Sequence, residues 1–360
     1  MSEKVLDFRS DTLTKPTPAM RAAMAAAEVG DDVFDEDPTV HALQERLADM
    51  LGKEASLLVP SGSMSNQIGV RVHCDPGDEF ICETGCHIYN YEQGAYAQLS
   101  GVAARTVDGQ QGVLRVEQLT GLVRASDDHL VRTRLVCLEN THNRGAGRIQ
   151  PFEIVESICN WAHGAGLVTH LDGARLFNAV AASGIDAPRW ARHFDTVSVC
   201  FSKGLGAPVG SALAGPKDLI RKARRIRKLF GGGMRQAGVL AAAALYALEH
   251  HVDRLAEDHA NAKRLGEAAR SIKGLDLLGD RVDTNIVIFK IEPQLGTAAE
   301  FCTRLRNRGL LMLAIGAQQV RAVTHLDVNE ADTTRAAEIL AEVAEEAPRS
   351  KVSAGEGVHY

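Results

Sequence analysis

Residues 167–175 read Leu-Val-Thr-His-Leu-Asp-Gly-Ala-Arg, and residues 196–208 read Thr-Val-Ser-Val-Cys-Phe-Ser-Lys-Gly-Leu-Gly-Ala-Pro. In each, a short apolar run of strand length gives way to one charged residue, Asp172 or Lys203, and then to glycine. Strands that are apolar on both faces are covered on both sides, which marks a parallel sheet between layers of helix. Glu79 to Cys82 and Arg134 to Leu138 share this character, and stretches with helical spacing lie near 89–99 and 151–163. The alternation predicts an α/β fold: a large domain with a mostly parallel sheet flanked by helices, its ligands gathered at the carboxyl ends of the strands.

Farther out, Asp37 and Pro38 open a helix in which Val40, Leu43, Leu47, Met50 and Leu51 recur until Gly52. From Gln236 onward, Ala241, Leu245, Leu248, Val252 and Leu255 predict one long helix bridging to a small C-terminal α+β domain. That domain has strand-like runs at Asn285 to Phe289 and Gln319 to Val323, with a helix from Ala298 to Arg308 between them. The expected organisation is an N-terminal arm at 1–20, a large domain at 21–249, a small domain at 250–346 and a flexible tail at 347–360.

At 360 residues and 45% hydrophobic, the chain can bury a substantial core. Forty basic and 46 acidic residues give a net charge of −6, without the basic excess that nucleic acid demands. The run from Arg221 to Lys228 fits either a solvated helix face or a patch aimed at an anion. No stretch reaches membrane-spanning length and the N-terminus lacks a signal-peptide core, so a cytoplasmic location is expected. Seven scattered cysteines suit a reducing compartment, and Cys82 with Cys86 has no second pair at zinc spacing, so no zinc site is expected and no metal ligand is assigned.

Lys203 is an unusual end for a buried strand. A desolvated amine loses its proton more readily, and the neutral amine attacks carbonyls to form a Schiff base. Taken alone, the segment also fits a lysine that caps a strand. Asp172 ends a neighbouring strand, where its carboxylate can keep a pyridine nitrogen protonated, as pyridoxal 5'-phosphate requires of its electron sink; capping of the next helix beside Arg175 is the plainer role. Pro60-Ser61-Gly62-Ser63-Met64-Ser65-Asn66-Gln67 is a small polar turn before an apolar helix. It suits either a phosphate or an ordinary serine cap. Gly85-Cys86-His87-Ile88-Tyr89-Asn90-Tyr91-Glu92 sets His87 just past a strand, to stack on a flat ring or to serve structure.

With these motifs in this order, the chain resembles the low-specificity L-threonine aldolases, fold-type I pyridoxal phosphate enzymes of the β-eliminating-lyase group. The likeness runs through Asp7-Phe8-Arg9-Ser10-Asp11-Thr12, His87, Glu139-Asn140-Thr141-His142-Asn143, Asp172 to Arg175, Lys203, Gly231-Gly232-Gly233-Met234-Arg235-Gln236 and Arg321-Ala322-Val323-Thr324-His325-Leu326-Asp327. It implies that Lys203 carries the cofactor as an imine, Asp172 pairs with the ring nitrogen, Arg175 supports the phenolic oxygen side and His87 stacks on the ring. Gly62 and Ser63 would hold the phosphate, while Ser10 and Arg321 would hold the substrate carboxylate. His142 is similar to a histidine near the substrate hydroxyl, and Lys228 and Arg235 match cationic positions, some reached across a subunit interface. The implied activity is retro-aldol cleavage of threonine or allo-threonine by a homotetramer, with His142 or His87 as base. A phenylserine-preferring aldolase or a related β-eliminating lyase would carry the same cofactor set. Ser63 stands where threonine is common in the family, and Ala95 interrupts a stretch usually richer in glycine.

Overall fold

Capping and periodicity at the start of the large unit act as the sequence predicts. Asp37 accepts a hydrogen bond from the Val40 amide and Pro38 occupies the first turn, which opens helix α1 (Pro38–Leu51) and lets it bury Leu43, Leu47 and Leu51. The helix stops at Gly52, whose φ of 61° is left-handed. The computed structural model describes residues 4–346, so the expected tail at 347–360 lies outside the described residues. The chain divides into two compact units, one formed by 15–253 and the other by the residues up to 14 together with those from 254 onward.

In the first unit α1 is followed by β1 (Ala55–Val59), α2 (Gly62–His73), β2 (Asp78–Glu83), β3 (Ala103–Val107), β4 (Arg132–Glu139), α3 (Phe152–Gly164), β5 (Val168–Gly173), β6 (Thr196–Cys200), β7 (Ser211–Gly215), α4 (Lys217–Leu229) and α5 (Gly238–His250). The strands form one seven-stranded sheet in the order β1-β7-β6-β5-β4-β2-β3. Pairs among β2 to β6 are parallel, while β7 runs antiparallel to both β6 and β1. This is the expected α/β architecture with a mostly parallel sheet, and β4, β5 and β6 carry Glu139, Asp172 and Ser198 into register across the sheet. Three strands were not foreseen. Small residues in Ser211-Ala-Leu-Ala-Gly215 and the half-exposed polar face of β3 mute the strand pattern.

The single bridging helix expected from Gln236 is corrected to two, α5 and α6 (Leu255–Ser271). No proline or glycine marks the break. His251 is buried and its Nδ1 donates to the Leu205 carbonyl at 2.7 Å, so a tertiary bond ends α5 where apolar periodicity would have continued it. Within α4, Arg221, Lys222, Arg225 and Lys228 form the solvated face, but Arg227 is buried and pairs with buried Asp32 at 2.6 Å.

The second unit contains α6, an antiparallel sheet of β8 (Leu275–Leu277), β9 (Ile286–Ile291), β10 (Leu313–Gly316) and β11 (Gln319–Val323), and helices α7 (Ala298–Asn307) and α8 (Glu330–Glu345). Its core includes Phe8, Phe289, Phe301 and Ile339. The N-terminal segment joins this unit, since Leu6 and Asp7 pair in parallel with Leu310 and Leu311.

Candidate active site

The carboxyl ends of the parallel strands collect the titratable groups. Asp172, second to last in β5, is buried; its Oδ2 accepts from Asn66 Nδ2 at 2.8 Å and its Oδ1 from the Ala174 amide at 3.1 Å. Burial alone would raise its pKa, but the nearby His87 and Lys203 charges and these two hydrogen bonds outweigh it. They hold the carboxyl below its ordinary value. Lys203 sits half-buried just past β6, in a turn closed by the Gly206 amide on the Lys203 carbonyl at 2.8 Å, with Gly206 at a φ of 80°. A small pocket lies beside Lys203, Arg175 and Asn178. Asp172 and His87 do not line it, so it adjoins their cluster without containing it.

His87 opens a short helix after β2. Its backbone amide donates to Glu139 Oε2 at 2.6 Å, and its Nδ1 lies 2.9 Å from Oε1 of the buried Glu92. Burial depresses the imidazole's proton affinity, but the Glu92 bond and the charges of Asp172 and Glu139 raise its pKa overall. The other ring nitrogen, Nε2, makes no hydrogen bond among the described residues. His142 differs. It is 1% exposed; its Nδ1 accepts from the Gly145 amide at 3.0 Å and its Nε2 donates to Glu83 at 2.9 Å. Burial opposes its protonation, yet Glu139 and Glu83 raise its pKa as well. The accepted Gly145 bond places the proton on Nε2 and fixes the neutral tautomer.

Ligand atoms of His87, Glu92 and Asp172 all lie within 4.8 Å of one another, a spacing a cation could use. The Asn66 amide donates to both carboxylates and so fills the gap with hydrogens. At the start of α2, Ser61 caps the Met64 amide, while the amides of Gly62 and Ser63 belong to the first turn, where no intrahelical acceptor exists. The buried Ser211 hydroxyl has no hydrogen-bond partner among the described residues and lies 3.5 Å from where a Cβ on Gly62 would sit. Free amides, an unpaired hydroxyl and no side chain at Gly62 together suit a phosphate, and a buried anionic Asp172 suits a protonated pyridine nitrogen.

The family model of the beta-eliminating lyases matches residues 7–293. The chain belongs to that family. Low-specificity L-threonine aldolase 1 of Arabidopsis thaliana is 42% identical to this lyase over 337 residues, covering 92% of this chain and 94% of the relative. Among solved structures, the threonine aldolase of Leishmania major shares its fold with a TM-score of 0.81 at 21% identity, covering 94% and 99% of the two chains. A serine palmitoyltransferase of S. paucimobilis with a bound PLP-myriocin aldimine does so with a TM-score of 0.73 at 16% identity, covering 94% and 86%.

Of the other residues singled out in the sequence of this lyase, Arg175 lies beside Lys203 and the rest fall elsewhere. Arg175 is buried, with Nη1 at 3.5 Å from Asn143 Oδ1. Lys228 is exposed on α4, and Arg235 is exposed with an ion pair to Asp31 at 2.8 Å. Ser10 and Arg321 belong to the second unit; Ser10 caps the turn at Asp11–Leu13, and Arg321 on β11 reaches the Arg9 carbonyl at 3.4 Å. Sequence reasoning gave no role to Asn66, Glu92, Glu139, Glu83 or His170. The only sign of Glu83, Glu139 and His170 was a polar residue in an otherwise apolar run, while Asn66 and Glu92 lie among residues of similar polarity.

Proposed function

We propose that this lyase is a pyridoxal 5'-phosphate-dependent carbon–carbon lyase that cleaves L-threonine and L-allo-threonine to glycine and acetaldehyde. The observation that carries the reading is the buried, ionised Asp172 facing the charges of Lys203 and His87 at the carboxyl edge of the sheet. When bound, the cofactor supplies an electron sink for the pair released as the Cα–Cβ bond breaks. Lys203 Nζ is its attachment point, Asp172 holds the proton on the ring nitrogen, and the Gly62 and Ser63 amides with the Ser63 hydroxyl hold the phosphate. Arg175 serves the phenolic side of the ring.

His87 is assigned the stacking position and the β-hydroxyl proton, which its Nε2 accepts while Glu92 pins Nδ1. His142, with both nitrogens engaged, is assigned to hold the loop after β4 on the substrate side. Ser10 and Arg321 bind the substrate carboxylate, for which a guanidinium fork is well matched. Lys228 and Arg235 act in an oligomer, a tetramer with sites shared across a dimer interface. The seven cysteines, all free, suit a reducing cytoplasm; no helix among the described residues is long and apolar enough to cross a membrane.

The test is Lys203→Ala. The purified wild type should show visible absorbance and release glycine from threonine, and the variant should lose both; retained turnover would refute the assignment. Sedimentation of a fully active monomer would refute the oligomer.

A further inference from the structure

Behind Asp172 a line of buried polar groups crosses the space between α2 and the sheet. Asn66, Gly69 and His73 stand at i, i+3 and i+7 of α2 and so share one face. Opposite them are His170 and Asp172, two residues apart on β5, and Thr196 on β6. Gly69 makes room for the His170 ring, because a Cβ there would lie 2.5 Å from its Cε1. The contacts run from His73 Nε2 to Thr196 Oγ1 at 2.8 Å and from Thr196 Oγ1 to His170 Nδ1 at 2.9 Å. They continue from His170 Nε2 to Asn66 Oδ1 at 3.2 Å and from Asn66 Nδ2 to Asp172 and Glu92 at 2.8 Å each.

Only one polarity satisfies this line. Ionised carboxylates can only accept, so both protons of the Asn66 amide point to Asp172 and Glu92 and its oxygen faces His170. His170 therefore donates from Nε2, leaving Nδ1 bare to accept the Thr196 hydroxyl, whose oxygen accepts in turn from His73 Nε2. Burial keeps both imidazoles neutral, holding His170 at about 4 and His73 at about 3.

We propose that Asn66 is a positioning residue that holds Asp172 ionised and aimed, tied through Glu92 to His87, with the His170, Thr196 and His73 line fixing the orientation of its amide. The inference rests on the reading that Asp172 meets the cofactor's ring nitrogen. Asn66 acts through the carboxylates it joins. Each donated bond is charge-assisted, and loss of one at a buried carboxylate favours its protonated form.

The experiment compares wild type, Asn66→Ala and Thr196→Val, each as full chain with and without added pyridoxal phosphate. Side-chain ¹⁵N shifts report the tautomer of His170, and fluorescence titration reports the cofactor dissociation constant. Wild-type His170 should carry its proton on Nε2 in both states. Asn66→Ala should weaken cofactor binding about tenfold or more, the scale of one charge-assisted bond, and release the His170 tautomer; Thr196→Val should shift both in the same direction by less. A wild-type proton on Nδ1 overturns the proposal even if Asn66→Ala fails to fold. So does a folded Asn66→Ala that binds cofactor within about twofold of wild type. A wild type that binds no pyridoxal phosphate would instead strike the functional reading.

Discussion

Replacing Gly69 by alanine tests the packing behind the site with a change of sign. In an ordinary helix interior this substitution stabilises by about 0.8–1 kcal/mol, because glycine loses more backbone freedom on folding. Here the added Cβ would lie 2.5 Å from His170 Cε1, 2.8 Å from Nδ1 and 3.0 Å from Nε2. The ring would have to retreat by about 1 Å to reach ordinary contact. It cannot do so cheaply, since its two nitrogens are held at 2.9 Å by Thr196 and 3.2 Å by Asn66. Overpacking costs about 1–3 kcal/mol and each strained buried hydrogen bond about 1 kcal/mol. After subtracting the propensity gain, Gly69→Ala should destabilise by about 2–4 kcal/mol. The natural control is Gly164→Ala at the end of α3, where a Cβ meets nothing within 4 Å among the described residues and the change should be neutral or stabilising by up to about 1 kcal/mol. Urea unfolding followed by far-ultraviolet circular dichroism gives both values from the midpoints. A Gly69→Ala variant as stable as wild type would refute the claim that His170 is clamped.

The same line of histidines predicts a pH dependence. His170 and His73 have folded pKa values, about 4 and about 3, below the ordinary value of 6.5, so the unfolded chain binds the extra protons; stability is full above about 6.5 and falls as pH drops toward 4, by on the order of 3 kcal/mol per histidine. Urea midpoints that stay flat from pH 7 to 4.5 would contradict this. Asp32→Ala leaves the buried Arg227 charge without the carboxylate held at 2.6 Å and should cost about 3–5 kcal/mol in the same assay. His87→Asn should lower kcat for threonine cleavage by roughly 10²–10³-fold with a folded, cofactor-loaded enzyme. His142→Asn should instead weaken stability through the lost Glu83 bond, and the opposite pattern would move the base to His142.

Asp172 and Lys203 were legible because each breaks an apolar strand with a charge, and a charge at a strand's carboxyl end faces the ligand edge of a parallel sheet. Glu92 and Asn66 were not. They sit in sequence among residues of similar polarity, and their importance comes from being 106 and 26 residues from their bonding partners: Asn66 from Asp172, Glu92 from Asn66. The break between α5 and α6 was missed for the same reason, because the bond from His251 to Leu205 that ends α5 spans 46 residues.

By itself, then, the sequence determined the layered α/β architecture, the strand-end positions of the lysine and aspartate, and the likeness to threonine aldolases, since periodicity, caps and short motifs are local properties of the chain. Only the tertiary structure decided which imidazole keeps a ring nitrogen open and which has both engaged, and which amide carries two carboxylates. Those outcomes depend on the direction and partner of each buried hydrogen bond, and such partners are chosen by packing between distant segments.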